Sequence, residues 1–234
     1  MKNAFKFKEF EVDQTGCAMR INTDGVLLGA IATKNNALNI LDIGTGTGVI
    51  ALMMAQRFPE AMVDAVEIDE SAALAAGKNA GYSSFSERVK VMHTAIEDYT
   101  SDKSYDLVVS NPPYFVNDLK NPEYRKGVAR HAEAVFFEDM LRSVNQLLSK
   151  DGRFWFILPV KQADVTISIA AEHDLFPAEI IHLHSDESKP EFRQIVCLEY
   201  STSVIKHQNL NIYAARGVYT DAYKLLLKDF FLAF

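Results

Sequence analysis

Three segments of this chain combine residue types and spacings that could do chemistry. The first, Asp42 to Gly48 (DIGTGTG), is a glycine-rich loop that opens a helix, and Glu67 ends the next predicted strand. The second, Asn111-Pro112-Pro113-Tyr114, follows a later predicted strand. The third, residues 120–131, holds four lysines and arginines against one glutamate. These segments predict a small-ligand site, an acceptor for a polar group and an electropositive stretch beside it.

The glycine loop differs from the loops that bind phosphates. A dinucleotide fingerprint needs G-x-G-x-x-G, but Val49 stands where its third glycine or alanine would be, and no P-loop Lys-Ser/Thr pair follows. Asp42 suits a cationic ligand better than a phosphate. Glu67, roughly 20 residues after the loop, could accept both hydroxyls of a ribose. S-adenosylmethionine combines an adenosine, a sulfonium and an ammonium without a phosphate, so we predict it as the cofactor and S-adenosylhomocysteine as its product.

The N-P-P-Y segment has the chemistry of a holder for an amine on a planar ring. Its two prolines fix the backbone and remove two N–H donors, which leaves carbonyl acceptors. The Asn111 side chain and the Pro112 backbone carbonyl could each accept one hydrogen bond from such an amine. The Tyr114 ring could stack on the base, a contact worth about 1–3 kcal/mol. Catalysis would then rest on positioning and electrostatics rather than on a strong base.

The elements that must position these segments alternate between strand and helix. This rhythm predicts an α/β, Rossmann-like fold with a mostly parallel seven-stranded sheet and an antiparallel end. Alternating residues over 5–21, with Thr15-Gly16 as a turn, predict a small N-terminal hairpin. Ligands of such sheets bind at the carboxyl ends of the strands, where each motif falls. We divide the chain into a hairpin and helix over residues 1–37, which close over the cofactor site, and a main domain over residues 38–234.

Composition and charge exclude several classes of protein. Hydrophobic residues make up 48% of the chain and charged residues 24%, which excludes a disordered or collagen-like protein. The net charge of −7 argues against non-specific coating of nucleic acid. Two cysteines, no signal-peptide pattern and no long apolar run indicate a cytoplasmic location without a membrane segment.

Basic residues are nevertheless concentrated around the predicted site. The loop after N-P-P-Y and the end of a later strand are expected to contact RNA, through Lys120, Arg125, Lys126, Arg130, Lys189 and Arg193. His182 and His184 share a strand face near Asp186, and we interpret them as a half-exposed strand surface. We therefore predict no metal site.

The motifs together resemble a known family. Leu41–Gly48, Asp64–Glu67, Ser110–Tyr114, the N-terminal Cys17–Ala30 (CAMRINTDGVLLGA) and the end from Tyr223 to Phe234 resemble class I S-adenosylmethionine methyltransferases of the N-P-P-Y type. The resemblance is to the bacterial tRNA(Val) adenine-37 N6-methyltransferases and covers nearly the whole chain. It implies a tRNA anticodon loop as partner, whose adenine can be turned into a pocket without opening a duplex. We expect a monomer with no obligate protein partner.

The resemblance also implies roles for individual residues. The target adenine would be held by Asn111, Pro112, Pro113 and Tyr114. The cofactor would be held by Thr23, Asp24, Gly25, Asp42, Gly44, Thr45, Gly46, Gly48, Glu67, Ile68, Ala95 and Asn111. One departure concerns Ala95, which stands where many methyltransferases have an aspartate for the cofactor's adenine amine. Glu97, Asp98 or a backbone carbonyl could take over that contact.

Other functions remain open from the residues alone. Protein glutamine N5-methyltransferases also use N-P-P-Y, but the chain is too short ahead of residue 38 for the N-terminal helical domain of that family. A guanine-N2 rRNA methyltransferase, a non-catalytic cofactor- or RNA-binding module and a nicotinamide oxidoreductase are the further alternatives. Asn111→Ala and the choice between NAD and S-adenosylmethionine would discriminate among them.

Overall fold

Strands and helices alternate along most of the chain. The computed structural model describes residues 4–15, 20–113 and 122–234, without the side chains of 122–133. The strands are β1 (Ala4–Lys6), β2 (Glu11–Asp13), β3 (Asn39–Ile43), β4 (Met62–Glu67), β5 (Val89–His93), β6 (Tyr105–Ser110), β7 (Leu148–Leu158), β8 (Phe176–His184), β9 (Glu191–Glu199), β10 (Lys206–Asn211), β11 (Tyr213–Ala215) and β12 (Val218–Tyr219). The helices are α1 (Thr23–Ile31), α2 (Val49–Arg57), α3 (Glu70–Tyr82), α4 (Pro122–Leu147), α5 (Val160–Ala170) and α6 (Asp221–Leu227).

The central sheet has the predicted mostly parallel architecture. Within the described residues its strand order is β10-β8-β9-β7-β6-β3-β4-β5. The pairs from β7 through β6, β3 and β4 to β5 are parallel, and β9 is antiparallel to both β7 and β8. Because β3 lies between β4 and β6, the chain reverses its direction of travel across the sheet there, which is where such folds bind ligands. The Rossmann-like fold class is confirmed.

Two hydrophobic clusters cover the two faces of the sheet. One contains residues of the N-terminal hairpin, α1, α2 and α6, and the other contains residues of α4 and α5. Strand β3 is buried on both sides, with Ile40 and Leu41 fully inaccessible to solvent, as expected for a central parallel strand. This burial fixes the end of β3, and with it the start of the glycine loop.

The sheet has one strand more than predicted in the part of the chain that the structure describes. Strand β10 lies parallel to β8 and forms an edge. Its sequence, KHQNLN, is polar and mostly exposed, so it lacks the alternation that marks a half-buried strand. Polar residues are typical of an edge strand, because they discourage pairing with another chain.

The N-terminal hairpin differs locally from the prediction. The hairpin turns at Phe7–Phe10, where the Phe7 N–H donates to the Phe10 carbonyl at 2.9 Å and the two rings stack at 4.5 Å. The hairpin thus turns earlier than predicted, because buried aromatic packing closes it at Phe7–Phe10, and Gly16 of the predicted turn lies outside the described residues. Asn22 caps α1 and Asp69 caps α3 through their side chains.

Among the described residues, no helix combines sufficient length with sufficient apolar character to cross a membrane.

Candidate active site

The glycine loop between β3 and α2 is held at the end of β4 by backbone hydrogen bonds. The N–H groups of Gly44 and Thr45 donate to the Val66 carbonyl at 2.9 and 3.1 Å. Gly44, Gly46 and Gly48 have φ values of 69°, 57° and 84°, which L side chains rarely adopt. A Cβ on Gly44 or Gly46 would meet no atom within 4 Å, so the loop presents bare backbone to open space. A ligand can therefore approach the loop backbone closely.

Asp42 lies beneath this loop. Its side chain is completely buried, and Oδ2 accepts hydrogen bonds from the Thr45 hydroxyl at 2.6 Å and from the Ala51 N–H at 3.1 Å. Burial raises the pKa of Asp42 to about 7. The carboxylate thus occupies the N-terminus of α2, which in phosphate-binding proteins is left for the phosphate. Among the described residues, Oδ1 of Asp42 has no hydrogen-bond partner.

Glu67 joins the end of β4 to the loop. One carboxylate oxygen accepts from the Gly46 N–H at 2.8 Å, and the other accepts from the Asp69 N–H at 2.9 Å. The side chain is nearly buried but lines the cavity described next. Each oxygen keeps a lone pair for a further donor, so Glu67 can accept hydrogen bonds from a ligand while it holds the loop.

A cavity of about 340 Å³ lies at the carboxyl ends of β3, β4, β5 and β6. Eight of the predicted site residues line it: Gly44, Gly46, Glu67, Ile68, Ala95, Asn111, Pro112 and Pro113. Carboxylates of Glu67, Asp69 and Glu97 face it, and no lysine or arginine is among its described lining residues. Hydrogen bonds from the Ser71 hydroxyl and the Ala72 N–H lower the pKa of Asp69, which keeps this acid ionised. These carboxylate acceptors fit a hydroxyl-rich or cationic ligand and do not fit a pyrophosphate.

The other predicted cofactor residues lie outside the cavity wall. Asp42 and Thr45 hydrogen-bond to each other beneath the loop, outside the cavity lining. Gly48 lies against Ala76 of α3, because a Cβ added to Gly48 would be 3.3 Å from the Ala76 Cβ. Thr23, Asp24 and Gly25 form the first turn of α1. Gly25 faces Asn111, because a Cβ on Gly25 would lie 3.5 Å from the Asn111 Nδ2 atom. The first turn of α1 therefore backs the N-P-P-Y segment.

The N-P-P-Y segment begins where β6 ends. Ser110 donates from its hydroxyl to the Ile43 carbonyl at 3.0 Å, so β6 and β3 are joined immediately before the segment. Asn111, Pro112 and Pro113 line the cavity. Tyr114 lies outside the described residues, and its stacking role stays a prediction.

The predicted RNA-binding residues are dispersed. Lys120 lies outside the described residues, and Arg125, Lys126 and Arg130 lie on α4, with side chains that are not described. Lys189 lies in the turn between β8 and β9, where its N–H donates to the Asp186 carbonyl at 3.1 Å. Arg193 forms an ion pair with Asp24, with 2.9 Å between Nε and Oδ2. Sequence patterns could not reveal this pair, because its members are 169 positions apart.

The histidines on β8 take part in hydrogen bonds along the edge of the sheet. His182 contacts Glu191 at 2.6 Å and His207 at 2.9 Å, and the two imidazole rings stack. His184 contacts the Lys189 carbonyl and the Asn209 side chain. No metal-binding group of three such side chains occurs in the portion of the chain covered by the structure.

Several residues at the cavity were not singled out from the sequence. Thr94 and Ile96 follow β5, and Phe136 of α4 also lines the cavity. Glu97 lines the cavity beside Ala95, whereas Asp98 is absent from its described lining. Of the side chains considered for the contact that Ala95 cannot make, Glu97 is the one placed to make it. Phe136 could not be recognised from the sequence as a cavity residue, because a phenylalanine in a helix most often belongs to the hydrophobic core.

The sequence is similar to those of known methyltransferases. The family model described as "Methyltransferase small domain" matches residues 20–167. The tRNA1(Val) (adenine(37)-N6)-methyltransferase of Pedobacter heparinus is 70% identical over 234 residues and covers 100% of both chains. The enzyme of the same name from Parabacteroides distasonis is 40% identical over 232 residues and covers 97% of both.

A comparison with solved structures supports the fold. A predicted O-methyltransferase from Agrobacterium tumefaciens superposes with a TM-score of 0.70 at 19% identity, over 88% of this chain and 96% of that one. At this identity the likeness shows a shared fold and carries no argument about the substrate.

Proposed function

This chain belongs to the methyltransferase small domain family and, within it, to the tRNA1(Val) (adenine(37)-N6)-methyltransferases, and we propose that it methylates adenine 37 of that tRNA by holding the N6 amine at Asn111. S-adenosylmethionine is its methyl donor. The observation that carries the proposal is the position of Asn111-Pro112-Pro113 on the wall of an acidic cavity that also presents the bare glycine loop and Glu67.

The residues around the cavity suggest how the cofactor is held. Glu67 would accept the ribose hydroxyls, and Gly44 and Gly46 would lie against the methionine part. Glu97 would take the adenine amine. The buried Asp42 would act from beneath the loop, through its hydrogen bonds with Thr45 and Ala51, rather than through direct contact with the cofactor. Bound S-adenosylmethionine supplies an electrophilic methyl group and leaves as neutral S-adenosylhomocysteine.

The N-P-P-Y residues would act on the adenine amine. The lone pair of this amine is delocalised into the ring, so the amine is a poor nucleophile until its geometry is fixed. Hydrogen bonds from the two N–H groups to the Asn111 Oδ1 and Pro112 carbonyl oxygens would orient the lone pair toward the methyl group. The nitrogen becomes cationic as the new N–C bond forms, and its proton then leaves to solvent. No strong general base is needed, so catalysis rests on position and electrostatics.

The partner and the location are part of the same proposal. The names of the relatives support a tRNA anticodon loop as the partner. The same names favour adenine N6 over the glutamine and guanine acceptors considered from the sequence. We expect the chain to act in the cytoplasm, on tRNA, as a monomer.

The decisive experiment uses an unmodified tRNA(Val) transcript, the full chain and isotopically labelled S-adenosylmethionine. Nucleoside mass spectrometry should find N6-methyladenosine in this transcript and none in a transcript with guanine at position 37. Asn111→Ala should lower kcat by about 100-fold or more. Asn209→Ala, on the edge strand β10, is the matched control and should leave kcat unchanged. Label in protein, or in N2-methylguanosine, would overturn the proposal.

A further inference from the structure

Helix α1 lies directly behind the residue that is proposed to hold the target amine. Asn22 caps this helix, since its Oδ1 atom accepts from the Gly25 N–H at 2.9 Å. Gly25 then faces Asn111, and the Asn111 amide nitrogen is 3.5 Å from the position that a Gly25 Cβ would occupy. The position of the first turn of α1 therefore decides how much room the Asn111 amide has and which way it can turn.

The C-terminal end of α1 is fixed by Arg57. This arginine ends α2, and its Nη1 atom donates to the carbonyls of Gly29 and Ala32 at 2.9 and 2.6 Å. Burial lowers the pKa of Arg57 to about 10, so the guanidinium is still charged at neutral pH. A cation at the C-terminus of a helix interacts favourably with the helix dipole.

The N-terminal end of α1 is fixed by Arg193. Its Nε atom lies 2.9 Å from Oδ2 of Asp24, and the two side chains are 24% and 10% exposed. Arg193 is itself held, because Nη1 donates to the Phe192 carbonyl at 2.9 Å. The arginine lies on β9 beside Gln194, which pairs with Leu158 at the carboxyl end of β7. The ion pair thus joins α1 to the end of the sheet that carries the active site.

We infer that Arg193 is a positioning residue for methyl transfer: through Asp24 it holds the first turn of α1 against Asn111 and so fixes the orientation of the Asn111 amide. This inference rests on the proposed function. Both residues thereby receive a new role, since Arg193 was expected to contact RNA and the family resemblance implied Asp24 as a cofactor contact. A shift of about 1 Å in a positioning element can lower the rate by about 100-fold, so a pair remote from the reacting atoms can matter this much.

The chain offers a matched control for the ion pair. Arg153 on β7 pairs with Glu199 on β9, with 3.4 Å between Nε and Oε2, toward the opposite end of these strands. Both pairs have one arginine and one carboxylate, and both anchor β9. Loss of either pair should lower thermal stability, but only Arg193 and Asp24 are connected to Asn111.

The kinetic test compares Arg193→Gln, Asp24→Asn, the double variant and Arg153→Gln. Arg193→Gln and Asp24→Asn should each lower kcat by about 10- to 100-fold, with KM for tRNA within about 2-fold of wild type. The double variant should be no slower than the slower single variant, because both changes break one interaction. Arg193→Lys, which keeps the charge, should recover part of kcat, and Arg153→Gln should keep full kcat.

An RNA contact would give a different pattern. Arg193→Gln would then raise KM for tRNA at constant kcat, and Asp24→Asn would leave activity unchanged or improve RNA binding. Equal losses of kcat in Arg193→Gln and Arg153→Gln would indicate a general effect on stability. Either pattern overturns the inference.

Amide hydrogen exchange separates this inference from the proposed function. Arg193→Gln should speed exchange in the first turn of α1, and Arg153→Gln should not, whatever the substrate is. If wild type fails to methylate tRNA, the proposed function fails, and this exchange measurement still decides whether Arg193 anchors α1. Unchanged exchange in Arg193→Gln would refute the anchor.

Discussion

Glu67 accepts a hydrogen bond from the Gly46 N–H at 2.8 Å, so the carboxylate at the end of β4 holds the glycine loop that follows β3. The same side chain accepts from the Asp69 N–H at the start of α3. The ribose hydroxyls of the cofactor would donate further hydrogen bonds to the Glu67 carboxylate, which already accepts from the Gly46 and Asp69 N–H groups. A single carboxylate therefore couples the shape of the loop to the affinity for the cofactor.

Glu67→Gln should weaken binding of S-adenosylhomocysteine by about 10- to 100-fold. Glutamine has one acceptor oxygen in place of two, so it cannot satisfy both N–H groups and a ribose, and a hydrogen bond to a charged group is worth about 1.5–3 kcal/mol. Isothermal titration calorimetry measures the effect without catalysis. Glu70→Gln, on the exposed first turn of α3, serves as the control. Unchanged affinity in Glu67→Gln would show that Glu67 does not hold the ribose.

Asp42→Asn should flatten the pH dependence of stability. Burial raises the folded-state pKa of Asp42 from 3.8 to about 7, so between these values the folded chain keeps a proton that the unfolded chain releases. The contribution of Asp42 to the free energy of unfolding therefore falls as pH rises from about 4 to 7, by an amount on the order of 4 kcal/mol, and levels off above. Asparagine does not titrate, so this contribution disappears.

Denaturant unfolding at several pH values between 4.5 and 7.5 measures this effect. The exposed Asp151→Asn should keep the slope of wild type. Parallel curves for wild type and Asp42→Asn would mean that Asp42 is ionised across the whole range.

The sequence was sufficient for the features that are set by local pattern. The alternation of elements predicts the fold class, and Glu67 at the end of β4 and Asn111 directly after β6 both line the cavity at the carboxyl ends of the strands. Asp42 shows where pattern reasoning ends. It directly precedes Ile43, which lines the cavity, but successive residues of a strand point to opposite faces, so Asp42 turns under α2.

Contacts between distant elements could not be predicted in this way. The Asp24–Arg193 pair depends on how α1 docks against β9, and neither residue has a local signal for its partner. The predicted sheet of seven strands is one strand short, because the polar residues of β10 hide the alternation of a half-buried strand and its pairing with β8 holds it in place. In each case tertiary packing overrode the local pattern.

Gly25→Ala and Gly25→Val should separate backbone effects from contact with Asn111. Gly25 has no positive φ, and a Cβ there would make ordinary contacts, 3.5 Å from Asn111 Nδ2 and 3.6 Å from Asn22 Oδ1. Alanine should fit, keep kcat within about 3-fold, and stabilise α1 by up to about 1 kcal/mol. The two Cγ atoms of valine would press on the Asn111 amide and should lower kcat by about 100-fold.

Single-turnover methylation assays measure both variants, with thermal unfolding as a check of the fold. Gly77→Val, at an open position on α3, has no neighbour within 4 Å and should leave the rate unchanged. A valine at Gly25 that retains the wild-type rate would contradict the contact.

Binding of tRNA should depend on salt through the basic residues that follow the N-P-P-Y segment. Because the net charge of the protein is −7, its affinity for tRNA must come from local groups of basic residues. Each phosphate contact to a single strand contributes about 0.7 to the magnitude of the slope of log affinity against log salt concentration. Replacing Arg125, Lys126 and Arg130 by glutamine should therefore reduce that slope by up to about 2. Fluorescence anisotropy with a labelled anticodon stem-loop between 50 and 300 mM salt, that is, at Debye lengths from about 14 to 6 Å, measures it.

The matched control removes three cations from the other side of the molecule. Lys34, Lys150 and Arg153 line a groove with Glu199 at the amino ends of the parallel strands, away from the cavity. Their replacement by glutamine changes the net charge by the same amount, so it tests whether overall charge alone governs binding. We expect this triple variant to keep the wild-type slope. An equal reduction in both triple variants would mean that tRNA responds to the net charge of the protein and not to the basic residues that follow the N-P-P-Y segment.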